Sequence, residues 1–207
     1  MGPQVRGSLF LDYVRMLKAR PEVDWRRHLA PEDLGYLEQR IDLETWYPMA
    51  AFERLGMAIL DVIARGDLGA VRAWGRQTVQ PLATVHGSLL VKNDPRESLM
   101  RFQVLRRTFF DFEATHMTRV DDSEVQVRIA YGMSPRAEEA ASHQAMGFFD
   151  GLVELAGGEE VRARFAERAW QGAKATTLVV SWRQPVRLAR PPTADYQSNL
   201  SGRRVPS

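Results

Sequence analysis

Residues 110–131, FDFEATHMTRVDDSEVQVRIAY, decide the fold. Phe110, Phe112, Ala114, His116, Thr118 and Val120 fall on one side of an extended chain, and Asp111, Glu113, Thr115 and Arg119 fall on the other. A period of two is the signature of a strand with one buried face. Asp121-Asp-Ser-Glu124 supplies a turn, and Val125, Val127, Ile129 and Tyr131 resume the alternation, so the segment reads as a hairpin.

Upstream of it the period is 3.6. Leu9, Phe10, Tyr13, Val14 and Leu17 mark a helix over 8–20 that Pro21 stops, and a short second helix begins at Pro31. Trp46-Tyr47-Pro48 announces a third, because proline at the first helical position fixes φ without losing a needed N–H. Asp67 caps a fourth helix carrying Leu68, Val71 and Trp74. Asp94-Pro-Arg-Glu97 joins a cap, a first-turn proline and a carboxylate three residues on, and so starts a fifth.

Downstream, Ser134-Pro135 caps a long helix with Glu138 and Glu139 in its first turn and Ala141, Ala145, Phe148, Leu152 and Leu155 as its buried stripe. Gly157-Gly158 end it. Val161, Ala163 and Phe165 open a third strand, and Thr176, Leu178, Val180 and Trp182 make a fourth. Helices followed by strand-strand-helix-strand-strand predict an α+β fold, with an N-terminal helical layer packed on a four-stranded, mainly antiparallel sheet. Residues 1–182 are expected to form one domain, and residues 183–207 an extended or disordered tail.

The 207 residues carry a net charge of +2, with 44% hydrophobic residues and no cysteine. That composition excludes disulfides, thiolate nucleophiles and cysteine-bound metals, and it fits a reducing compartment. No stretch has the length or apolarity of a membrane span or signal peptide, so a cytoplasmic protein is expected. The charge is unevenly placed: Arg183, Arg187, Arg190, Arg203 and Arg204 stand against Asp195 alone in the tail, a net of +4 that leaves the body at −2. Such a tail suits a protein partner or an anionic surface. A nucleic-acid-specific binder would need a far larger basic excess.

Phosphate-cradling glycine loops, the H-E-x-x-H zinc motif and the G-x-S-x-G nucleophile elbow are absent. His28, His86, His116 and His143 fall in four different segments, with no metal-ligand spacing. No catalytic residue, metal or cofactor is therefore expected, and the chain reads as a non-enzyme. Were it an enzyme, His116 with Tyr131 or Glu113 would be the candidates. The aromatics of both halves suggest instead a small apolar pocket between sheet and helices, with Trp46, Tyr47, Trp74, His116 and Phe148 as candidate ligand-binding residues.

Tyr131-Gly-Met-Ser134-Pro-Arg136 resembles the Tyr-x-Ser-x-Arg signature of haem nitric-oxide sensors, whose polar groups hold the haem propionates, although the spacing is one residue longer. The segment also reads simply as a strand end and a helix cap. Val5-Arg-Gly-Ser-Leu-Phe10, Trp46-Tyr-Pro-Met-Ala-Ala-Phe52, Gly147-Phe-Phe-Asp-Gly151 and Thr177-Leu-Val-Val-Ser-Trp182 together resemble a myxobacterial paralogous family of about this length. By element order that family is similar to four-vinyl-reductase-type domains, haem nitric-oxide sensors and Bet3-like trafficking subunits. The resemblance implies a sensory or regulatory domain that binds a small apolar ligand and signals through a protein partner, with a homodimer as one assembly. The alternative it implies is a scaffold that uses fold and tail for assembly. Many four-vinyl-reductase-type domains carry cysteine clusters, which this chain lacks.

Overall fold

The structure, a computed structural model, describes residues 2–184. The tail expected from Arg183 thus lies, beyond Gln184, outside the described residues. The order is β1 (Gln4–Arg6), α1 (Gly7–Lys18), α2 (Pro31–Glu38), β2 (Trp46–Pro48), α3 (Met49–Ala58), α4 (Leu68–Gln77), α5 (Val79–Val85), α6 (Pro95–Leu105), β3 (Thr115–Val120), β4 (Glu124–Ile129), α7 (Pro135–Leu155), β5 (Glu159–Glu167) and β6 (Thr176–Arg183). The large sheet runs β3-β4-β6-β5 with every neighbouring pair antiparallel, so the α+β reading with a β-β-α-β-β second half holds.

Local chemistry explains the helix ends. The Asp67 carboxylate accepts from the Gly69 N–H at 2.8 Å and Asp94 from the Glu97 N–H at 2.9 Å, each satisfying a donor that a helix start leaves unpaired. Ser134 stands at the head of α7 but makes no side-chain cap, because its hydroxyl donates to Glu53. Glu138 one turn in is buried and accepts from the Tyr131 N–H at 3.0 Å and the Met133 N–H at 3.2 Å. It thereby ties the end of the hairpin to the helix.

Two expectations about boundaries are corrected. The first hairpin strand starts at Thr115 rather than Phe110: Phe110 bridges Val5 instead, and Phe110 and Phe112 pack into the helical layer. Trp46-Tyr47-Pro48 is not the first turn of a helix but β2, paired with β1 through Val5 and Tyr47. Pro48 then sits just before α3, one position earlier than expected.

Packing divides into two layers around α7. On the sheet side Val127, Ile129, Leu178 and Val180 meet Phe102 of α6 and Phe149 and Leu152 of α7. In the helical layer Phe10 and Leu17 of α1 meet Phe52 and Leu55 of α3. Between them α4 crosses α7 at very close range. A Cβ on Gly75 would fall 1.9 Å from the Gln144 carbonyl oxygen, and one on Gly147 would fall 1.8 Å from that of Arg72. Only glycine lets the two backbones approach so closely.

Candidate functional site

A narrow crevice opens where α1, α3, α4 and α7 meet. Its walls are Tyr13 and Met16 from α1, Phe52, Gly56 and Met57 from α3, Val71 and Trp74 from α4, and Ala137, Ala140, Ala141 and Gln144 from α7, with Met133 at one end. The cavity holds about 30 Å³ and is mainly apolar. Tyr13 organises it. The ring stacks on Phe52 at 4.1 Å between centroids, and the hydroxyl donates to the Gln144 side-chain oxygen at 2.7 Å. Burial, with Asp12 adding to it, pushes the Tyr13 phenol well above its ordinary value, so the hydroxyl stays a donor.

Directly after Ala58 the helix widens into a π-turn at Ile59–Ile63, and Ile59 and Leu60 of that turn line the crevice. Such turns recur at functional sites because the extra residue re-aims its neighbours. On the other side of the Glu53–Met57 ridge lies a second, polar crevice of about 230 Å³, lined by His28, Ala30, Glu53, Arg54, Met57, Ala58 and Asp61. Arg54 is committed there: Nε donates to Asp33 Oδ2 at 2.6 Å and Nη2 to Oδ1 at 2.8 Å, and Asp33 is fully buried. The hydrogen bonds to Asp33 hold the guanidinium in its charged form.

The five sequence-predicted ligand residues do not gather in one place. Trp74 lines the apolar crevice. Tyr47 stacks on Phe10 at 4.5 Å within the helical layer, and Trp46 beside it lies under the Arg6 guanidinium at 4.9 Å. Phe148 packs on Phe102 at 4.6 Å, on the sheet side of α7. His116 sits near the edge of the sheet, its Nδ1 3.3 Å from Glu113 Oε1 and 3.3 Å from Arg106 Nη2. His116 and Glu113 are thus neighbours, and the Tyr131 ring packs against Phe110. Neither crevice reaches His116.

Tyr13 and Gln144 are the site residues that sequence reasoning missed. Tyr13 fell on a core stripe, and nothing local marks Gln144, because its partner lies 131 residues away. Among the described residues no group of three or more His, Asp or Glu is placed to hold a metal, and no helix is long and apolar enough to cross a membrane.

No family model and no curated protein matches the sequence, which leaves the resemblance to a myxobacterial family without support. Solved structures do match in fold, and they are H-NOX proteins. An H-NOX variant from T. tengcongensis aligns with 13% identity and a TM-score of 0.58 over 88% of this chain and 100% of its own. A triple variant of an S. oneidensis H-NOX in the Fe(II) state aligns with 13% identity and a TM-score of 0.60 over 87% of this chain and 97% of its own. A third, described as probing haem distortion in the H-NOX family, gives 0.59 at 13% identity, over 89% of this chain and 98% of its own. At these identities the likeness shows the fold.

Haem does not fit the residues present. The volume between sheet and α7 is filled by Phe102, Val127, Phe149, Leu152 and Leu178, all buried, and the apolar crevice has room for about 30 Å³. Histidine is a common haem ligand, yet none of the four histidines is buried. Two of the groups that would hold propionates are engaged within the chain, Ser134 with Glu53 and Arg136 with Asp61. Glu53 and Asp61 would repel a propionate from Ser134 and Arg136.

Proposed function

We propose that this chain is a non-enzymatic sensory or regulatory module that admits a small apolar ligand to the crevice beneath Trp74 and reports it to a protein partner. The observation that carries the reading is the Tyr13–Gln144 hydrogen bond across an otherwise apolar cleft. A cavity of about 30 Å³ accepts a few atoms at most, so any larger ligand displaces a wall. The walls that yield are Met16, Met57 and Met133, unbranched and adaptable side chains. Entry also shifts Tyr13, and with it the tie to α7, the helix on which the sheet packs. A ligand that favours the opened arrangement shifts the population toward it, and α7 carries the change to the far side of the molecule. Of the residues predicted from sequence, Trp74 belongs to this site, and the H-NOX fold is compatible with a sensing role.

The narrowness of the cleft favours a second reading, a rigid scaffold whose surface alone is used. A thermal-shift screen of small hydrophobic compounds, run on the wild type, Trp74→Ala and Ala140→Leu, separates the two. The sensory reading expects stabilisation of the wild type, retained in the enlarged Trp74→Ala cleft and lost when Ala140→Leu fills it. A panel that shifts none of the three leaves the scaffold.

A further inference from the structure

The sheet has one face on α6 and α7 and the opposite face outward. Alternation assigns the outward face: on β4, Val125, Val127 and Ile129 are buried while Arg128 is exposed, and on β5, Val161, Ala163 and Phe165 pack inward while Arg162 and Arg164 are exposed. The pairing fixes their spacing. Arg164 pairs with Val179, Arg162 with Ser181 and Arg128 with Thr177, all on β6. Arg128 thus lies two strand spacings across the sheet and two residues along it from Arg164, about 12 Å, and four residues along from Arg162, about 17 Å, with Glu167 directly across from it.

Of the other charges on this face, Arg119 of β3 pairs with Asp121 at 2.6 Å and Arg183 of β6 with Glu159, while the carboxylates of Glu167 and Glu124 keep their charge and accept from the Thr177 hydroxyl at 2.6 Å and from Gln126 Nε2 at 3.2 Å. Arg128, Arg162 and Arg164 have no ion pair among the described residues. Three unpaired guanidinium forks on a flat strand surface form a set of sites for carboxylates, each able to take two oxygens at once.

We propose that this face docks an acidic protein surface. The chain's own terminal segment is the wrong occupant, because beyond Gln184 it carries Arg187, Arg190, Arg203 and Arg204 against Asp195, the same sign as the face. Nucleic acid is the poorer occupant. The face presents no Phe, Tyr or Trp on which a base could stack, and the body of the chain carries a net negative charge. An acidic helix or loop with two or more carboxylates about 12 Å apart meets Arg128 and Arg164 at once. The proposal rests on the sheet alone and holds whether or not the apolar crevice takes a ligand.

The test uses the full chain and a fluorescent twelve-residue Glu/Asp peptide, titrated by anisotropy at low and physiological salt without any crevice ligand. Arg128→Glu/Arg162→Glu/Arg164→Glu is expected to weaken binding by about tenfold or more. Arg20→Glu/Arg26→Glu/Arg40→Glu, the same charge change on exposed positions of the helical layer, is expected to leave it near wild type. If the triple sheet variant melts early, the single Arg128→Glu and Arg164→Glu variants carry the test, each with a loss of about threefold. Equal losses in the sheet and control sets overturn the proposal, as does a wild type that does not bind the peptide. Tighter binding to polyuridylate or to phosphatidylserine vesicles than to the peptide overturns it in favour of those surfaces. A concentration-dependent dimer abolished by the sheet variant reassigns the face to a second copy of this chain.

Discussion

His143 shows how much a single residue's environment departs from its sequence reading. It lies off the apolar stripe of α7, where solvent is the default expectation, yet its ring meets Phe165 edge-on at 5.1 Å and lies 6.3 Å from Trp170. Burial lowers its pKa from 6.5; Glu139 opposes the shift, and Arg72 and Arg168 reinforce it. The unfolded chain therefore takes up this proton more readily than the folded one. Stability from His143 is complete above pH 6.5 and is lost as pH falls from there toward the lower folded pKa. His143→Phe removes this dependence. Melting curves at pH 7.5 and 5.5 are expected to show a wild-type loss that the variant reduces by roughly 2 °C. An unchanged difference would place the sensitivity in other groups. Contacts of this kind are hidden in the sequence because Phe165 and Trp170 come to His143 only through the return of β5 over α7. Trp74 was legible as an inward-facing aromatic for the opposite reason: it sits on a strong helical stripe whose neighbours in the chain are its neighbours in space.

Among the elements, the crossing of α4 on α7 is the most constrained. Gly75 and Gly147 each face the other helix's backbone, and Arg72 of α4 reaches Asp150 of α7 through Nε at 2.8 Å beside the contact. Asp150 is almost fully buried, so the charge-assisted bonds that hold it also fix the register of the two helices. Gly147→Ala must push the Arg72 carbonyl away and is expected to cost about 2–3 kcal/mol, read as a lower denaturant midpoint at unchanged slope. Gly35→Ala is the contrasting case. A Cβ there meets nothing within 4 Å, and Gly35 lies inside α2, so the same change should stabilise by about 0.5–1 kcal/mol. A similar loss at both positions would refute close approach as the cause. Periodicity and the Asp67 cap made α4 legible, and α7 was legible from Pro135 and its apolar repeat although Ser134 does not cap it and Leu155 of the expected stripe is exposed; Gly147 stood within a recognised landmark, but no pattern says which carbonyl a glycine must admit. The β1–β2 ribbon was illegible for a simpler reason. Three-residue strands are too short to display alternation, and the proline of Trp46-Tyr47-Pro48 suits a strand end as well as a helix start.

At the scale of the whole molecule, an α+β arrangement similar to that of H-NOX proteins is held by a closely packed interior. Element order is set by patterning, and patterning survives wholesale exchange of core side chains, so the fold was readable from alternation in 125–131 and periodicity elsewhere; in β3 the alternation gave the wrong face, since Met117 is buried and His116 lies across from the exposed Arg128. What occupies the centre depends on side-chain volumes and on pairings between distant segments, such as Ser134 with Glu53 and Arg136 with Asp61. Those pairings tie the β4–α7 junction to α3 and the π-turn behind it. Opening a haem-sized space would break them, expose Glu53 and Asp61 to the propionates, and separate Phe102 and Phe149 from the sheet. Each of these steps is unfavourable, and no buried histidine is present to offset them by ligating iron. Hemin titrated into the purified chain is therefore expected to give weak, unsaturable absorbance and no rise in melting temperature. A sharp Soret band saturating at one equivalent, with a thermal shift, would show that the helical layer parts from the sheet around a porphyrin. Glu53→Gln/Asp61→Asn removes the repulsion while leaving the packed core. If that pair alone conferred saturable binding, carboxylate occupancy of the Ser134–Arg136 segment, and not the filled interior, would be what keeps haem out.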